Sequence, residues 1–436
     1  MIYKAKHVLP ITSEPVDNGE ILVRDDRIEA VGPGLALSYP TEPIHDFGEA
    51  ILMPGLVNTH THLDYTILRG AIDDLPLLPW IRKITEYALM MQPEQFRWSA
   101  FLGAAELIQA GITTIADASF SGKALDAVLE SGLRGIVYQE VFGYQTEDFS
   151  EELDTLKAQI DELAPSATSK ARIGVSPHSI YTVSAGLLTA VREYAHKQGL
   201  PISIHVAESE AERDFCAKGE GDIARMYKQY GMEWACPGVS PVQYLYDLGL
   251  LGEKTIAAHC VHVDEDDVRL LAATRTGVAH CPKSNSKLGV GVAPLPAMLN
   301  AGIRLGLGSD SAVSSNTLDI FDEIRFAILL QRANKCSPAI FGAKSMVEAA
   351  TIGGARALSM EKEIGSIQPG KKADLVAVDV SKAKSFPDRD SYTLLAYCAS
   401  PSDVLMTMVD GEVLYDRPNL KSLDLAEIKQ NAGEGS

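Results

Sequence analysis

Short apolar runs punctuate the middle of the chain. They are "ILMPGLVNTH", "GITTIADAS", "GIVYQEVFG", "RIGVSPHS", "ISIHVAES", "TIAAHCVH", "GVAHCPKS" and "IRLGLGSD". Runs of this length, apolar on both faces, predict buried parallel strands. Most are separated by segments whose apolar positions fall at helical spacing. "QFRWSAFLGAAELIQAG" (95–111) is one, stopped by Gly111. "SAGLLTAVREYAHKQG" (184–199) is another, with Ser184 as N-cap and Gly199 as stop. Eight strands alternating with helices predict an α/β fold, a (β/α)8 TIM-type barrel. The rival, an open doubly wound sheet, prefers a glycine-rich phosphate loop after its first strand. "NTHTHLDYT" stands there instead.

The two ends follow a different pattern. "GEILVRDDRIEAVG" reads as a hairpin turning at "DD", and "DVLMTMVDGEVLYD" as another turning at "DG". "GSIQPGKKADLVAVDV" adds a further strand. Residues 1–54 and 366–436 are therefore expected to form one small β-sandwich domain from both termini, flanking a catalytic barrel over 55–365. "APSATSK" (164–170) reads as a loop, and no fixed-period repeat or long linker appears.

Composition narrows the function. The chain has 436 residues, 46% of them apolar, enough for a sizeable core. A net charge of -19 without a local basic stripe argues against nucleic acid and anionic membrane as partners. Cys216, Cys236, Cys260, Cys281, Cys336 and Cys398 are scattered, with no CxxC pair. That suits reduced thiols in a cytoplasmic protein. No apolar run nears the roughly 20 residues that span a bilayer.

The polar residues at the strand ends carry the chemistry. In a barrel of this type the active site lies at the C-terminal ends of the strands. Strand one ends with His60 and His62, strand four with His178, and strand five with His205 and then Glu208. Strand six ends with His259 and His262, strand seven carries His280, and strand eight ends with Asp310. Of ten histidines, only His7, His45 and His196 fall elsewhere. A lone HxH pair is a weak signal, common in cores and on surfaces. Joined by His205 and Asp310, His60 and His62 make a set of three nitrogens and one oxygen. Such a set suits one divalent metal, Zn²⁺ first and Fe²⁺ second. Glu208 is placed to move protons beside it without ligating.

These motifs resemble the amidohydrolase superfamily. The resemblance rests on "PGLVNTHTHL", "SPHSIYTVS", "ISIHVAESEAE", "AAHCVH", "HCPKSNSKLGVGVAPL" and "LGSDSAVSSNTLDIFDEIR", and it covers nearly the whole chain. Within the superfamily the chain is similar to deaminases of adenosine derivatives. These are the methylthioadenosine/S-adenosylhomocysteine deaminases and the aminodeoxyfutalosine deaminases of menaquinone synthesis. The resemblance implies that His60, His62, His205 and Asp310 are the metal ligands. It implies that His259 holds the attacking water, that Glu208 carries a proton to ring N1, and that His178 reads the purine. Trp80, Glu86 and Ser314 are further substrate-binding candidates. Binuclear relatives carry a carboxylated lysine on strand four; "RIGVSPHS" has none, so one metal is expected.

Two departures bear on the substrate. Methylthioadenosine-type relatives place a ribose-binding glutamate nine residues after the tryptophan; Leu89 stands at that distance from Trp80, with Glu86 as a substitute. Relatives that take S-adenosylhomocysteine use arginines after strand three. Here Gln139 replaces one, and Glu147, Asp148, Glu151, Glu152 and Asp154 follow, which would repel a carboxylate. "LLPWI" and "YQEVFG" look closer to the aminodeoxyfutalosine branch, so 6-amino-6-deoxyfutalosine is the leading substrate. Its benzoate would need Arg213, Arg82 or Arg69. The alternatives are methylthioadenosine, S-adenosylhomocysteine, 5′-deoxyadenosine or adenosine as substrate, a triazine-type C–N or C–Cl hydrolase, and a non-catalytic scaffold. A homo-oligomer is compatible with all of them.

Overall fold

The structure, a computed structural model, describes residues 1–144 and 148–433. Glu147, counted above among the acidic residues, lies outside the described residues. Eight parallel strands close into a barrel: β1 (Leu56–Thr61), β2 (Ile112–Ser119), β3 (Arg134–Val141), β4 (Ala171–Pro177), β5 (Ile202–Val206), β6 (Thr255–His259), β7 (Gly277–His280) and β8 (Arg304–Leu307). They neighbour one another in chain order, and β8 returns to β1 through Leu307 opposite Asn58. All eight fall on the apolar runs of the sequence.

The first run divides. "ILMPG" and "LVNTH" belong to two strands, Ala50–Pro54 in the terminal sheet and β1 in the barrel. Gly55 is the break. Its N–H donates to the Asp374 carbonyl at 2.9 Å, and a Cβ there would lie 2.1 Å from the Thr113 side chain. No side chain fits where the two sheets diverge.

Both termini build one nine-stranded sheet. Ala50–Pro54 joins them, pairing in parallel with Ile2–Val8 and antiparallel with Leu375–Asp379. The two flanks share an apolar core that includes Val8, Ile21, Ile28, Leu52, Leu375 and Met408, which makes the unit a small sandwich beside the barrel. Buried Arg134, at the start of β3, donates to Asp374 at 2.8 Å and to Asp410 at 2.5 Å, pinning this unit to the barrel. Among the described residues no helix is long and apolar enough to cross a membrane.

Helix Leu77–Met90 lies against the mouth of the barrel. It turns Leu77, Ile84 and Ala88 inward, and Leu77 joins Val261, Leu288 and Val290 in a small cluster over the strand ends. The anticipated helix around 184–199 spans Ala185–Gln198. Ser184 accepts the Leu187 N–H, and Gly199 ends it at φ 71°. Its regular geometry fixes the position of the loop that carries His178.

Candidate metal centre and active site

The strand ends converge on one buried cluster. His60, His62 and His205 each offer a nitrogen there, and Asp310 an oxygen; all four side chains are buried. Backbone geometry aims them. Ala207 (φ 49°), His259 (φ 70°), Cys260 (φ 48°) and Asp310 (φ 56°) adopt the left-handed conformation that non-glycine residues rarely take. Those turns end the strands abruptly and swing the side chains inward.

Hydrogen bonds fix the ring tautomers. His62 Nδ1 faces the Ala118 carbonyl at 2.9 Å, and His205 Nδ1 faces the His178 carbonyl at 2.9 Å. A carbonyl accepts only, so both Nδ1 atoms carry the proton and both Nε2 atoms present lone pairs. Those Nε2 atoms lie 3.3 Å apart. Two facing lone pairs repel unless something positive lies between them. His60 Nε2 is buried with no hydrogen-bond partner among the described residues, 3.6 Å from Asp310 Oδ1, and His62 Nε2 is 3.5 Å from the same oxygen. Ligands about 2.0–2.2 Å from a Zn²⁺ lie roughly 3–3.5 Å from one another. The separations of 3.3, 3.5 and 3.6 Å among these donors fit a shared ion of that kind.

Asp310 is held from behind. Its Oδ2 accepts the hydroxyls of Ser284 and, at 3.0 Å, Ser314, which leaves Oδ1 for the centre. Burial pushes the Asp310 carboxyl up, but facing His60, His259 and His62 hold it well below the usual carboxylate range. His259 Nδ1 bonds Asn285 Oδ1 at 2.9 Å, and its Nε2 lies 3.8 Å from Glu208 Oε1. Burial raises Glu208 above the ordinary glutamate range, opposed by the His259 charge. Glu212 sets its backbone: one carboxyl oxygen accepts the Ala207 N–H at 2.9 Å and the other the Glu208 N–H at 2.8 Å.

A cavity of about 330 Å³ opens over this cluster, large enough for a nucleobase and sugar. Its outer wall is apolar, with Leu77, Trp80, Ile81, Ile84, Leu89 and Leu288. His178 projects into it; Thr182 Oγ1 at 2.9 Å engages Nδ1, and Phe142 stacks on the ring at 4.8 Å.

Several expectations need correction. Glu86 does not reach the cavity: it is exposed on the outer face of its helix, bridged to Lys83 and Arg82. Leu89 does line the cavity, so no helix glutamate grips a ribose there. Ser314 is fully buried behind Asp310 and orients that carboxylate instead of touching substrate. Gln139 spends its amide on the Phe120 carbonyl at 2.9 Å. Arg213, Arg82 and Arg69 pair with Asp264, Glu86 and Glu106, and none lines the cavity. Asp64 braces the loop after β2 through Ser119 and Ser121, while Tyr65 lines the cavity. His262 faces the Val290 carbonyl, a structural role. His280 is buried with neither ring nitrogen bonded among the described residues, and burial pulls its pKa down to about 3, so it is a neutral histidine.

Sequence reading missed Ser284, Asn285, Glu212 and Glu140. The first two stand inside "HCPKSNSK", and polar side chains following a buried strand were the available signal.

Comparison with known proteins places the chain in a family. Residues 51–414 match the amidohydrolase family model. The 5-methylthioadenosine/S-adenosylhomocysteine deaminase of Moorella thermoacetica is 36% identical over 425 residues, covering 97% of this chain and 95% of the relative. The zinc-bound adenosine deaminase from Xanthomonas campestris superposes with a TM-score of 0.88 at 30% identity, covering 99% of this chain and 97% of that one. The zinc complex of atrazine chlorohydrolase from Arthrobacter aurescens, at 20% identity and a TM-score of 0.85 over 99% of both chains, shares the fold. The chain belongs to the amidohydrolase family. It is an enzyme, a hydrolase acting on C–N bonds.

Proposed function

We propose that this enzyme removes the 6-amino group of an adenosine derivative by hydrolysis, at a centre that holds one divalent metal. The observation that carries the reading is the pairing of the four convergent donors with buried Glu208, a proton carrier beside them that is not needed as a ligand. A cation held by His60, His62, His205 and Asp310 supplies Lewis acidity and brings the pKa of a water towards about 7.

The chain's own residues do the rest. Asp310 and His259 flank the attacking water and accept its proton. Glu208 delivers a proton to ring N1, which removes aromatic stabilisation as oxygen bonds to C6. As the tetrahedral C6 collapses, the proton taken from water passes to the amino group, which leaves as ammonia, and the C6 hydroxyl proton passes to Glu208, which restores the acid and leaves the inosine-type product. His178, with Nδ1 engaged by Thr182, presents Nε2 to the purine edge. One water is consumed and one ammonia released.

Methylthioadenosine leads as substrate. The apolar outer wall suits a thioether on C5′, and the Moorella relative is named for that activity. Aminodeoxyfutalosine, favoured by "LLPWI" and "YQEVFG", is second. A neighbouring cavity of about 670 Å³ has the volume for its benzoate, but Glu140, Glu151 and Glu152 line it beside the single cation Lys123, which disfavours a carboxylate there and ranks this substrate below methylthioadenosine. The test is ammonia release from adenosine, 5′-deoxyadenosine, methylthioadenosine, S-adenosylhomocysteine, aminodeoxyfutalosine, guanine, cytosine and a chlorotriazine. An adenosine derivative should give the highest kcat/KM; a higher value on guanine, cytosine or the triazine refutes the reading.

A further inference from the structure

Glu140, near the end of β3, has a carboxyl group with nothing to do in the steps above; burial, with Asp64, Asp117 and Asp310 nearby, holds that carboxyl well above the usual glutamate range. It is 5% exposed, and its Oε1 is buried without a hydrogen-bond partner among the described residues. No lysine or arginine among the described residues forms an ion pair with it. A buried oxygen left unpaired costs free energy, so such an atom at a cavity wall marks where a ligand donor belongs.

Its position says which donor. Glu140 lines two cavities: the one over the metal centre, and the neighbouring one of about 670 Å³. Phe120 and Phe142 line both as well, with ring centroids 6.2 Å apart, so these three side chains form a waist. On the inner side, a carboxylate oxygen of Glu140 lies within 4.8 Å of nitrogens of His178 and His205. A nucleoside that reacts at its base in the first cavity and carries a substituent on C5′ has one part that must cross the waist, the sugar. A cis-diol offers two hydroxyls that can each donate and accept, and a carboxyl group offers two oxygens to meet them.

We propose that Glu140 is a specificity residue that binds the sugar hydroxyls at this waist, with the second cavity taking the 5′ substituent. The assignment rests on the deaminase reading above. It names a residue on β3 for the contact that Leu89, on the mouth helix, cannot make.

The test compares Glu140→Leu and Glu140→Gln with the wild-type holoenzyme on adenosine and on 2′,3′-dideoxyadenosine. Zinc content and thermal melting are measured on each protein. On adenosine, Glu140→Leu should raise KM between about 10- and 100-fold, the loss expected when buried hydroxyls are left without their hydrogen-bond partner, with kcat changed far less. On the dideoxy nucleoside the wild type should already show most of that penalty, so variant and wild type converge. Glu140→Gln, which keeps one acceptor, should fall between the two on adenosine. Equal losses on both nucleosides overturn the assignment, as does an unchanged KM on adenosine. If Glu140→Leu loses zinc or its folded melting transition, Glu140→Gln decides by the same comparison. Failure of the wild type to release ammonia from any nucleoside refutes the deaminase reading itself, and is seen before either variant is made.

Discussion

Replacing Glu208 by glutamine isolates the proton carrier. The two side chains have the same shape, so the cavity and the backbone bonds from Glu212 to Ala207 and Glu208 stay in place. The amide can still contact ring N1, but it cannot give N1 a proton. Glu208 is only 5% exposed, so bulk water cannot easily replace it as the acid. A positioned acid–base group contributes about 10²–10⁴-fold, which corresponds to about 2.7–5.5 kcal/mol of barrier at 25 °C. Glu208→Gln should therefore lower kcat by at least about 100-fold and change KM by no more than about 3-fold, since ground-state binding is retained. Its metal content should match the wild type, because His60, His62, His205 and Asp310 are untouched. The assay is ammonia release under saturating substrate, with metal determined on the same samples. Turnover within about tenfold of wild type at equal metal content would refute the role, since no positioned acid would then have been lost.

Three further outcomes follow from the same geometry. Stripping the protein with dipicolinate should abolish ammonia release, and one equivalent of Zn²⁺ per chain should restore it; full activity in metal-free protein would rule out the centre. Ser314→Ala removes one of the two hydroxyls behind Asp310 and should weaken metal affinity or kcat by about 10-fold with KM unchanged, whereas a rise in KM alone would return Ser314 to the substrate. Glu212 is pushed up to about 8 by burial from an ordinary 4.5, so between those values the folded state holds a proton the unfolded chain has lost. Stability should fall as pH rises across that window, by at most about 1.4 kcal/mol per pH unit, and Glu212→Gln should lack this slope in urea unfolding; parallel curves for the two proteins would contradict it.

The division of labour inside the cavity follows from where charge is needed. His259, Asp310 and Glu208 all line one end of the cavity, and the proposed reaction puts C6 and N1 there so that attack and protonation coincide. Their environments push them apart: Asp310 is held ionised by the facing histidines, while burial favours the protonated form of Glu208. Two carboxyls in one pocket thereby favour opposite states, which suits the proposed reaction, where one accepts a proton and the other gives it. The apolar wall from Leu77 to Leu89 performs no proton transfer. It excludes water from the reacting atoms, which strengthens each charge interaction at the metal end.

What the sequence could disclose depended on whether a role is local. The eight strands were legible because a strand buried on both faces must be apolar, and the four candidate ligands lie at a strand end or within three residues past it. Glu86 was misjudged although the signal existed. At 3.6 residues per turn it falls opposite the face carrying Leu77, Ile81, Ile84 and Ala88, and that face is the one turned to the cavity. Ser314 was misjudged for a different reason: a serine one turn beyond Asp310 can reach back as easily as forward, and only packing decides. Glu140 left a faint mark, the pair "QE" inside an apolar strand, but its unpaired oxygen is a property of everything that surrounds it. The tautomers of His62 and His205 left no mark at all. They are set by the carbonyls of Ala118 and His178, and a carbonyl is present at every position of a chain. The donor set can therefore be read from residue identities, while the facing lone pairs that make it a metal centre exist only after β2 and β4 have brought those carbonyls into line.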